Sequence, residues 1–294
     1  ILISALEHHA NIVPWQLVAE QTGAVLKVAP INEKGELIWE KFIELLSPKI
    51  KLCAVSYVSN AIGIINPIKK IIEACHAENI PVLVDAAQAA PHIPLNVEEL
   101  NCDFLAFSSH KCYGPTGIGV LYGKKALLEA MPPYQGGGDM IYTVSFSHST
   151  YAPLPLKFEA GTPNIADAIA FAAALNYLSC LNWDEVQQYE ALLYQKAVTA
   201  LSSIAGLHII GEAPVERHAP LISFVMDHIH PHDMGTILNE QGVCVRTGHH
   251  CAMPLMNFFN LAATTRASFS FYNTEAEIIA LVNAIKMAKK LFSV

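Results

Sequence analysis

The sequence predicts an α/β protein: a three-layer domain with a largely parallel sheet over residues 1–180, then a smaller C-terminal α/β domain over residues 181–294. Short β-branched runs alternate with helical segments through the first part. Runs such as Val82–Val84 are apolar on both faces, which is typical of strands covered by helices on both sides. The alternation resumes after two long helical stretches, so we expect the domain change between about 180 and 207.

The predicted elements follow one another in a regular order through the first domain. Strands are expected at 1–4, 25–29, 52–58, 81–84, 104–107 and 118–122, and helices at 10–22, 38–46, 66–78 and 124–130. Gly and Pro residues then interrupt the pattern over 132–163, which predicts a long loop region with room for a hairpin. A loop of this length in a compact domain is usually functional.

Two helices, at 164–181 and 184–205, lead into the second domain. The first of them contains the longest apolar run of the chain, and we expect it to be buried. Beyond the second, strands are predicted near 207–210, 220–225, 243–246 and 265–270, with helices near 232–241 and 275–292.

The composition excludes several classes of protein. Of 294 residues, 52% are hydrophobic and 15% are charged, so the chain can bury enough apolar surface to fold and is not intrinsically disordered. A net charge of −8 is unlike the basic surface of a nucleic-acid binder. No run is long and apolar enough to span a bilayer, and no secretory signal is recognised. From the charge and the apolar runs we therefore expect no nucleic-acid or membrane partner. Seven irregularly spaced cysteines indicate a reducing compartment, so we expect a cytoplasmic protein.

Polar residues cluster where the predicted strands end. Seven of them stand just beyond strand ends: His8, Asn60, Asp85, Gln88, Ser108, His110 and Lys111. Because the carboxyl ends of parallel strands meet at one edge of a sheet, we expect these side chains to converge. Each of them alone is more often a turn former, a helix cap or a solvated group. It is their combination that indicates a site.

This combination matches the needs of pyridoxal 5'-phosphate (PLP). The amine of Lys111 can form a Schiff base with the cofactor aldehyde. The carboxylate of Asp85 can keep the pyridine nitrogen protonated, so that the ring withdraws electrons. The remaining groups can hold the ring and the phosphate: His8 by stacking, Gln88 at the phenolic oxygen, and Ser108 and His110 as phosphate donors.

Three segments resemble those of a known enzyme family. The run Ser108–Gly119 resembles the lysine motif of class V aminotransferase-fold enzymes, which have the PLP-dependent transferase fold of type I, the aspartate aminotransferase-like fold. The runs Glu7–Trp15 and Arg246–Leu255 are similar to those of SUF-type (SufS-like) cysteine desulfurases, also called selenocysteine lyases. The similarity extends over essentially the whole chain. It implies a sulfurtransferase that converts L-cysteine, or L-selenocysteine, into L-alanine.

The resemblance also implies a role for each residue singled out. Three residues are catalytic by this comparison: Lys111 holds the cofactor, His8 stacks on its ring, and Cys251 receives sulfur as a persulfide. The implied cofactor ligands besides Lys111 and His8 are Asn60, Asp85, Gln88, Ser108, His110 and Thr162. The implied contacts of the substrate carboxylate are Arg266, Arg246 and Asn60. Since the threonine at position 162 reaches the cofactor phosphate of the partner subunit, the family pattern implies a homodimer.

Two further implications concern partners and length. In this family the sulfur passes to a SufE-type or SufU-type acceptor protein for iron–sulfur cluster assembly. Family members also carry an N-terminal stretch with a Gly/Ala-Thr turn that binds the cofactor phosphate at a helix N-terminus. The chain begins within a predicted strand at Ile1. We therefore expect it to be most of a larger enzyme, lacking the N-terminal part of its large domain and binding the cofactor weakly by itself.

Three alternatives stay open. The first is a related PLP-dependent aminotransferase or lyase that does not use Cys251. The second is a catalytically impaired fragment. A metal-binding protein is the third, since Asp227–Asp233 contains three histidines and His249–Cys251 adds two imidazoles and a thiol. Alternate histidines across a proline lack the spacing of a zinc motif, so we assign no metal ligand from the sequence and expect catalysis as the main function.

Overall fold

A six-stranded sheet forms the first half of the structure, a computed structural model that describes residues 1–292. Its strands are β1 (Leu2–Ser4), β2 (Lys27–Ala29), β3 (Cys53–Ser56), β4 (Val82–Asp85), β5 (Phe104–Ser108) and β6 (Gly119–Gly123). They lie in the order β2-β1-β3-β4-β5-β6. The first five are parallel, and β6 is antiparallel to β5. The largely parallel sheet predicted from the sequence is therefore confirmed.

Helices follow the strands of this sheet along the chain. They are α1 (Val13–Thr22), α2 (Trp39–Leu45), α3 (Ile68–Ala77), α4 (Val97–Leu100) and α5 (Lys125–Ala130). The buried residues of α3 are Ile68, Ile71, Ile72 and Cys75. This spacing is the apolar stripe of an amphipathic helix, and it packs in one hydrophobic cluster with strand residues such as Val82. The packed core fixes the positions at which the strands end.

The middle of the chain forms a hairpin and two long helices. The hairpin strands are β7 (Ile141–Val144) and β8 (Ser149–Tyr151), which lie in the region predicted as a long loop. The helices are α6 (Ile165–Ser179) and α7 (Trp183–Ser202), close to their predicted bounds. No single helix within residues 1–292 is long and apolar enough to cross a membrane. Helices α6 and α7 meet that requirement only as a pair, which is bent by 84°.

A second, four-stranded sheet follows these helices. Its strands are β9 (Leu207–Ile210), β10 (Leu221–Met226), β11 (Arg246–Gly248) and β12 (Thr264–Ser268), and its helices are α8 (Pro231–Glu240), α9 (Met253–Phe258) and α10 (Glu275–Phe292). The strands are antiparallel in the order β11-β12-β10-β9. A separate hydrophobic cluster includes Leu193 of α7, Phe224 of β10 and Leu281 of α10. The division of the chain at residues 180 and 181 stays a prediction.

One strand of the second sheet is displaced from its predicted position. The sequence predicts a strand over 243–246, whereas β11 covers Arg246–Gly248. Val243 and Val245 are β-branched and pack, partly buried, against the second cluster, which explains the sequence signal. The strand pairing itself begins at Arg246, opposite Arg266 of β12. The sequence does not predict α4 or α9, because helices of one or two turns carry little periodicity.

Helix α6 is more exposed than the sequence predicts. The expected buried helix has only two buried residues within α6, Phe171 and Leu178. Ile165, Ile169 and Tyr177 are 57%, 68% and 53% exposed. The helix is apolar on every side, whereas the fold of one chain covers a single stripe of it. An apolar surface of this kind is typical of a contact with another protein surface.

His218 is a buried side chain that joins the two halves of the molecule. Its backbone pairs with Ile64, and its ring stacks on Tyr194 of α7 with the ring centroids 4.2 Å apart. Gly63 has φ 74°, and the His218 ring occupies the space that a Cβ at this position would need. Burial lowers the pKa of His218 to about 4, because the charged ring would lose its hydration.

We expect His218 to make the protein less stable in mild acid. Its pKa is lowered in the fold from the usual 6.5, so its contribution to stability is complete above pH 6.5 and is lost as the pH falls toward about 4. The loss is about 1.4 kcal/mol per pH unit, or about 3 kcal/mol over this window. Urea unfolding at several pH values should show this loss in the wild type and a flatter profile in His218→Gln. His208→Gln, at an exposed position, is the control and should show the pH dependence of the wild type. If His218→Gln also loses stability with falling pH as the wild type does, the assignment to His218 is wrong.

Candidate active site

The carboxyl ends of β3, β4 and β5 open into a cavity of about 520 Å³. Its lining includes the seven residues that the sequence places beyond strand ends: His8, Asn60, Asp85, Gln88, Ser108, His110 and Lys111. Trp15, Val58 and Phe107 contribute apolar wall. The parallel pairing of β1, β3, β4 and β5 is the reason that residues from the four loops after these strands reach one space.

Lys111 provides the only amine of the cavity lining among the described residues. It ends a short 3-10 helix, Ser109–Lys111, directly after β5. Burial lowers the pKa of Lys111; the Asp85 carboxylate opposes this shift, and the Arg266 guanidinium adds to it. A lowered pKa leaves a larger fraction of the amine unprotonated at neutral pH, and the unprotonated amine is a nucleophile. Lys111 is therefore suited to attack a carbonyl carbon.

Asp85 places a carboxylate in the same cavity. It is the last residue of β4, and Tyr57 N–H donates to its carbonyl oxygen at 2.8 Å, which fixes its backbone. The side-chain Oδ1 accepts from Ala87 N–H at 2.9 Å. A carboxylate held in this way has a fixed position beside the partly buried amine. A carboxylate in such a position stabilises a protonated ring nitrogen in a ligand.

His8 forms part of the cavity wall with a fixed ring orientation. Its Nδ1 accepts from Ala10 N–H at 3.0 Å and so caps the short 3-10 helix His9–Asn11. Burial lowers the pKa of His8, and the positive charge of Lys111 lowers it further, although Asp85 opposes the shift. A flat and oriented imidazole in the wall of a cavity is suited to stack on a planar ligand.

Glu7 is a buried acid for which the sequence suggests no role. It accepts hydrogen bonds from three side chains: Ser4 Oγ, Asn11 Nδ2 at 2.6 Å and Ser56 Oγ at 2.6 Å. Burial raises the pKa of Glu7 despite these donors. Asn11 also accepts from Trp15 Nε1–H at 2.9 Å. The network joins β1, β3 and the cavity wall. The only sequence signal of Glu7 is its position as an acid at the end of an apolar run.

Two arginines lie directly opposite each other on neighbouring strands, Arg246 on β11 and Arg266 on β12. Arg266 Nη1 donates to the Asn60 carbonyl oxygen at 2.6 Å, while its Nε is buried without a partner among the described residues. Burial lowers the pKa of Arg266, and the charge of Arg246 adds to this. Like charges across a strand pair repel each other, and an anion between them relieves the repulsion. The pair is suited to bind a carboxylate.

Cys251 lies on the loop between β11 and α9, beside the cavity rather than in its lining. His250 and Cys251 both have left-handed backbone conformations, with φ 53°. Two hydrogen bonds hold this loop against the site: His9 N–H donates to the Cys251 carbonyl oxygen at 2.7 Å, and Asn60 Nδ2 donates to the His250 carbonyl oxygen at 2.6 Å. The partly exposed Cys251 is close enough to Lys111 to contribute to its pKa.

Thr162 stands apart from the other predicted site residues. It is exposed, in the loop between the 3-10 helix Leu156–Phe158 and α6, and it does not line the cavity. The two arginines also lie outside the lining, although Arg266 contacts it through Asn60. The role predicted for Thr162 requires a second copy of the chain, so it stays a prediction.

Residues 1–281 match the family described as "Aminotransferase class-V", and the chain belongs to this family. A probable cysteine desulfurase of Streptomyces coelicolor is 47% identical over 292 residues, which are 99% of this chain and 70% of the relative. A cysteine desulfurase of an Enterobacter species is 46% identical over 287 residues, which are 97% of this chain and 70% of the relative.

Solved structures give the same result. The cysteine desulfurase CsdA of Escherichia coli has a TM-score of 0.94 and 41% identity, over 99% of this chain and 72% of the E. coli chain. A cysteine desulfurase from Thermococcus onnurineus has a TM-score of 0.94 and 34% identity, over 98% of this chain and 72% of that chain. The predicted PLP-dependent transferase fold of type I and the resemblance to class V cysteine desulfurases are thus confirmed.

Proposed function

We propose that the chain acts as a PLP-dependent cysteine desulfurase, which converts L-cysteine into L-alanine and retains the sulfur as a persulfide on Cys251. The observation that carries this proposal is the position of Lys111. It is a partly buried amine that shares one cavity with Asp85 and lies close to the loop of Cys251. Relatives named as cysteine desulfurases, similar along nearly the whole chain, support the same activity.

The donor set of the cavity fits PLP. Lys111 Nζ would hold the cofactor covalently, Asp85 would pair with its ring nitrogen, and Gln88 would contact its phenolic oxygen. The remaining ligands would be His8 on the ring face, Asn60 at its edge, Ser108 and His110 at the phosphate, and Thr162 from a partner subunit. When bound, the cofactor supplies an electron sink for the bond electrons released at the substrate α-carbon.

The protein's own residues then bind the substrate and move its proton and sulfur. Arg266 and Arg246 bind the carboxylate of L-cysteine, and Asn60 links Arg266 to the Cys251 loop. Lys111 Nζ takes the proton from the α-carbon. The Cys251 thiolate attacks the substrate sulfur, so that an S–S bond forms while the C–S bond breaks. The electron pair of the C–S bond passes to the β-carbon, which takes up a proton. Lys111 Nζ returns a proton to the α-carbon, and alanine leaves.

The persulfide sulfur would pass to a SufE-type or SufU-type acceptor for iron–sulfur cluster assembly. The partial exposure of Cys251 supports the transfer of the persulfide sulfur from this residue to another protein. L-Selenocysteine would serve as an alternative substrate, because the same arginines and thiol act on it. All seven cysteines are free thiols, which supports a reducing compartment and, in this proposal, the cytoplasm.

The active form would be a homodimer. Exposed apolar side chains concentrate on α6 and on the hairpin, where Phe146 is fully exposed and Tyr142 is 77% exposed. Surfaces of this kind are rare on proteins that act as monomers. A second copy placed over α6 would cover Ile169 and would lie next to the loop that carries Thr162, as the role predicted for this threonine requires.

Borohydride trapping tests the proposed function. The purified chain is mixed with PLP and reduced, and peptide mapping should locate the adduct on Lys111. With L-cysteine and a thiol reductant, the chain should then release alanine and sulfide in equal amounts. Attachment at another lysine contradicts the proposal. Equal alanine formation with and without the Cys251 thiol supports the alternative of a lyase or aminotransferase.

Arg266→Lys should weaken substrate binding more than it slows the chemical step. Lysine keeps a positive charge but loses the planar pair of donors that binds a carboxylate in a bidentate manner. We expect the KM for L-cysteine to rise by about 10-fold to 100-fold, as for the loss of a hydrogen bond to a charged group, with a smaller change in kcat. Arg217→Lys is the matched control, because Arg217 pairs with Glu36 at the surface. An unchanged KM in Arg266→Lys would exclude the carboxylate role.

A further inference from the structure

We propose that His9, His249 and Cys251 form a binding site for a thiophilic divalent cation, with Zn²⁺ as the expected ion. One ring nitrogen of each histidine and the Cys251 Sγ lie within 4.8 Å of one another. His9 comes from the segment after β1, whereas the other two residues come from the loop after β11. The fold therefore brings together three ligands that are far apart in the sequence. Metal binding is separate from the proposed function and does not depend on it.

Main-chain hydrogen bonds hold the three residues in place. His9 N–H donates to the Cys251 carbonyl oxygen at 2.7 Å, and Met253 N–H donates to His9 Nε2 at 3.0 Å. Cys251 N–H donates to His249 Nδ1 at 3.0 Å. The two imidazole rings have centroids 5.5 Å apart and planes inclined by 31°. Backbone groups of two segments, one after β1 and one after β11, thus position the three side chains, and a hydrogen bond joins the two segments.

The donor set selects the kind of metal. Two imidazoles and a thiolate are the ligands of zinc and similar ions, whereas Mg²⁺ and Ca²⁺ require oxygen ligands. Zinc bonds of about 2.0–2.3 Å require tetrahedral ligand atoms about 3.3–3.8 Å apart, so the side chains must move inward by up to about 1 Å. His9 and Cys251 are partly exposed and His249 is exposed, so all three have room to move. Three protein ligands leave a fourth position for water or a small thiol.

The same contacts indicate a reversible site rather than a permanent one. The lone pairs of His9 Nε2 and His249 Nδ1 accept backbone N–H groups. A cation at these atoms displaces two donors, and a cation at the opposite nitrogens requires the other ring tautomer. Arg246 and Arg266 add positive charge close to the neighbouring His250. We therefore expect weaker binding than at a structural zinc site, and occupancy that follows the supply of metal.

Zinc at this position would block the thiol that accepts sulfur. Coordination takes the thiolate form of Cys251, and the thiol proton passes to solvent. The sulfur lone pair bound to the metal is then not free to attack the substrate sulfur, so the cation acts as a reversible inhibitor. This consequence, unlike the binding itself, rests on the proposed function. Metal binding and inhibition by the metal can therefore be tested separately.

Titration of the purified chain with Co²⁺ tests the binding, because tetrahedral Co²⁺ bound to a thiolate has a near-ultraviolet charge-transfer band and visible d–d bands. We expect one equivalent of Co²⁺, displaced by Zn²⁺, and no thiolate band in Cys251→Ala. His9→Ala and His249→Ala should each weaken binding by about tenfold or more. Cys244→Ala and His208→Ala are matched controls at exposed positions and should bind as the wild type does.

A labelling experiment on the wild-type chain avoids dependence on how the variants fold. Zn²⁺ should slow the alkylation of Cys251 by iodoacetamide, measured by mass spectrometry, but not that of the exposed Cys180 and Cys244. Equal alkylation of Cys251 with and without Zn²⁺ would overturn the site, as would unchanged Co²⁺ affinity in both histidine variants. If Zn²⁺ protects Cys251 while alanine formation continues at the same rate, the inhibitory role is wrong and the site stands.

Discussion

Lys111→Ala should abolish the covalent attachment of PLP and lower alanine formation from L-cysteine by about 10³-fold, within the range expected for loss of a catalytic proton-transfer group. The variant removes the only amine in the cavity lining among the described residues, so no other group there can attach the cofactor. It also removes the base that takes the α-proton. Absorbance of the cofactor bound to protein, together with an alanine assay, measures both losses.

Two further variants show whether the loss at Lys111 is specific. Lys111→Arg keeps the positive charge of the cavity but cannot form the covalent bond, so it should be as inactive as Lys111→Ala. Lys69→Ala, at an exposed position on α3, should retain full activity. Attachment of PLP to Lys111→Ala at near wild-type yield would show that another lysine holds the cofactor, and the proposed function would then fail.

Cys251→Ala should lower alanine formation by at least about 10³-fold, the scale on which loss of a covalent nucleophile acts, while PLP still attaches to Lys111. The Cys251 side chain lies outside the cavity lining, so its truncation leaves the cofactor ligands in place. The expected result is therefore a protein with a normal cofactor spectrum that binds L-cysteine but does not release alanine. Mass spectrometry should show a mass increase of one sulfur atom on the wild type and none on the variant.

The exposed Cys244 provides the matched control for Cys251. Cys244 precedes β11 in the sequence, whereas Cys251 follows it, so Cys244→Ala should keep both activity and the persulfide on Cys251. Thermal unfolding of both variants should agree with the wild type to within about 0.5 kcal/mol, as for substitutions away from the core. Alanine and sulfide formation that survives in Cys251→Ala would exclude the persulfide mechanism and favour the related lyase or aminotransferase.

Most of the first sheet could be predicted because its sequence signals are local. Runs such as Val82–Val84 are apolar on both faces, and they become strands of a parallel sheet between layers. Helix α3 shows the apolar stripe that its spacing predicts. The displaced strand near Val243 shows the limit of such signals. Burial of β-branched residues does not by itself determine which of them pair with a neighbouring strand.

The candidate site is predictable for the same reason, up to a point. Residues that follow parallel strands share one edge, so the convergence of Asp85 and Lys111 follows from the strand pattern. The buried acid Glu7, with donors from β1, β3 and the 3-10 helix, has no comparable pattern, because its partners come from separate segments. Helix α6 illustrates the opposite error: an apolar composition predicts burial but does not indicate whether its own chain or another surface covers it.

The sequence by itself determined the α/β class, the order of strands and helices, and the residues at the carboxyl edge, because these depend on periodicity and on motifs of neighbouring residues. Only the tertiary structure decided which distant groups meet. It placed Arg246 opposite Arg266, buried Glu7 among three donors, and brought His9 to the loop of Cys251. Such contacts depend on the packing of whole segments against each other, and no local pattern in the chain encodes the distance between them.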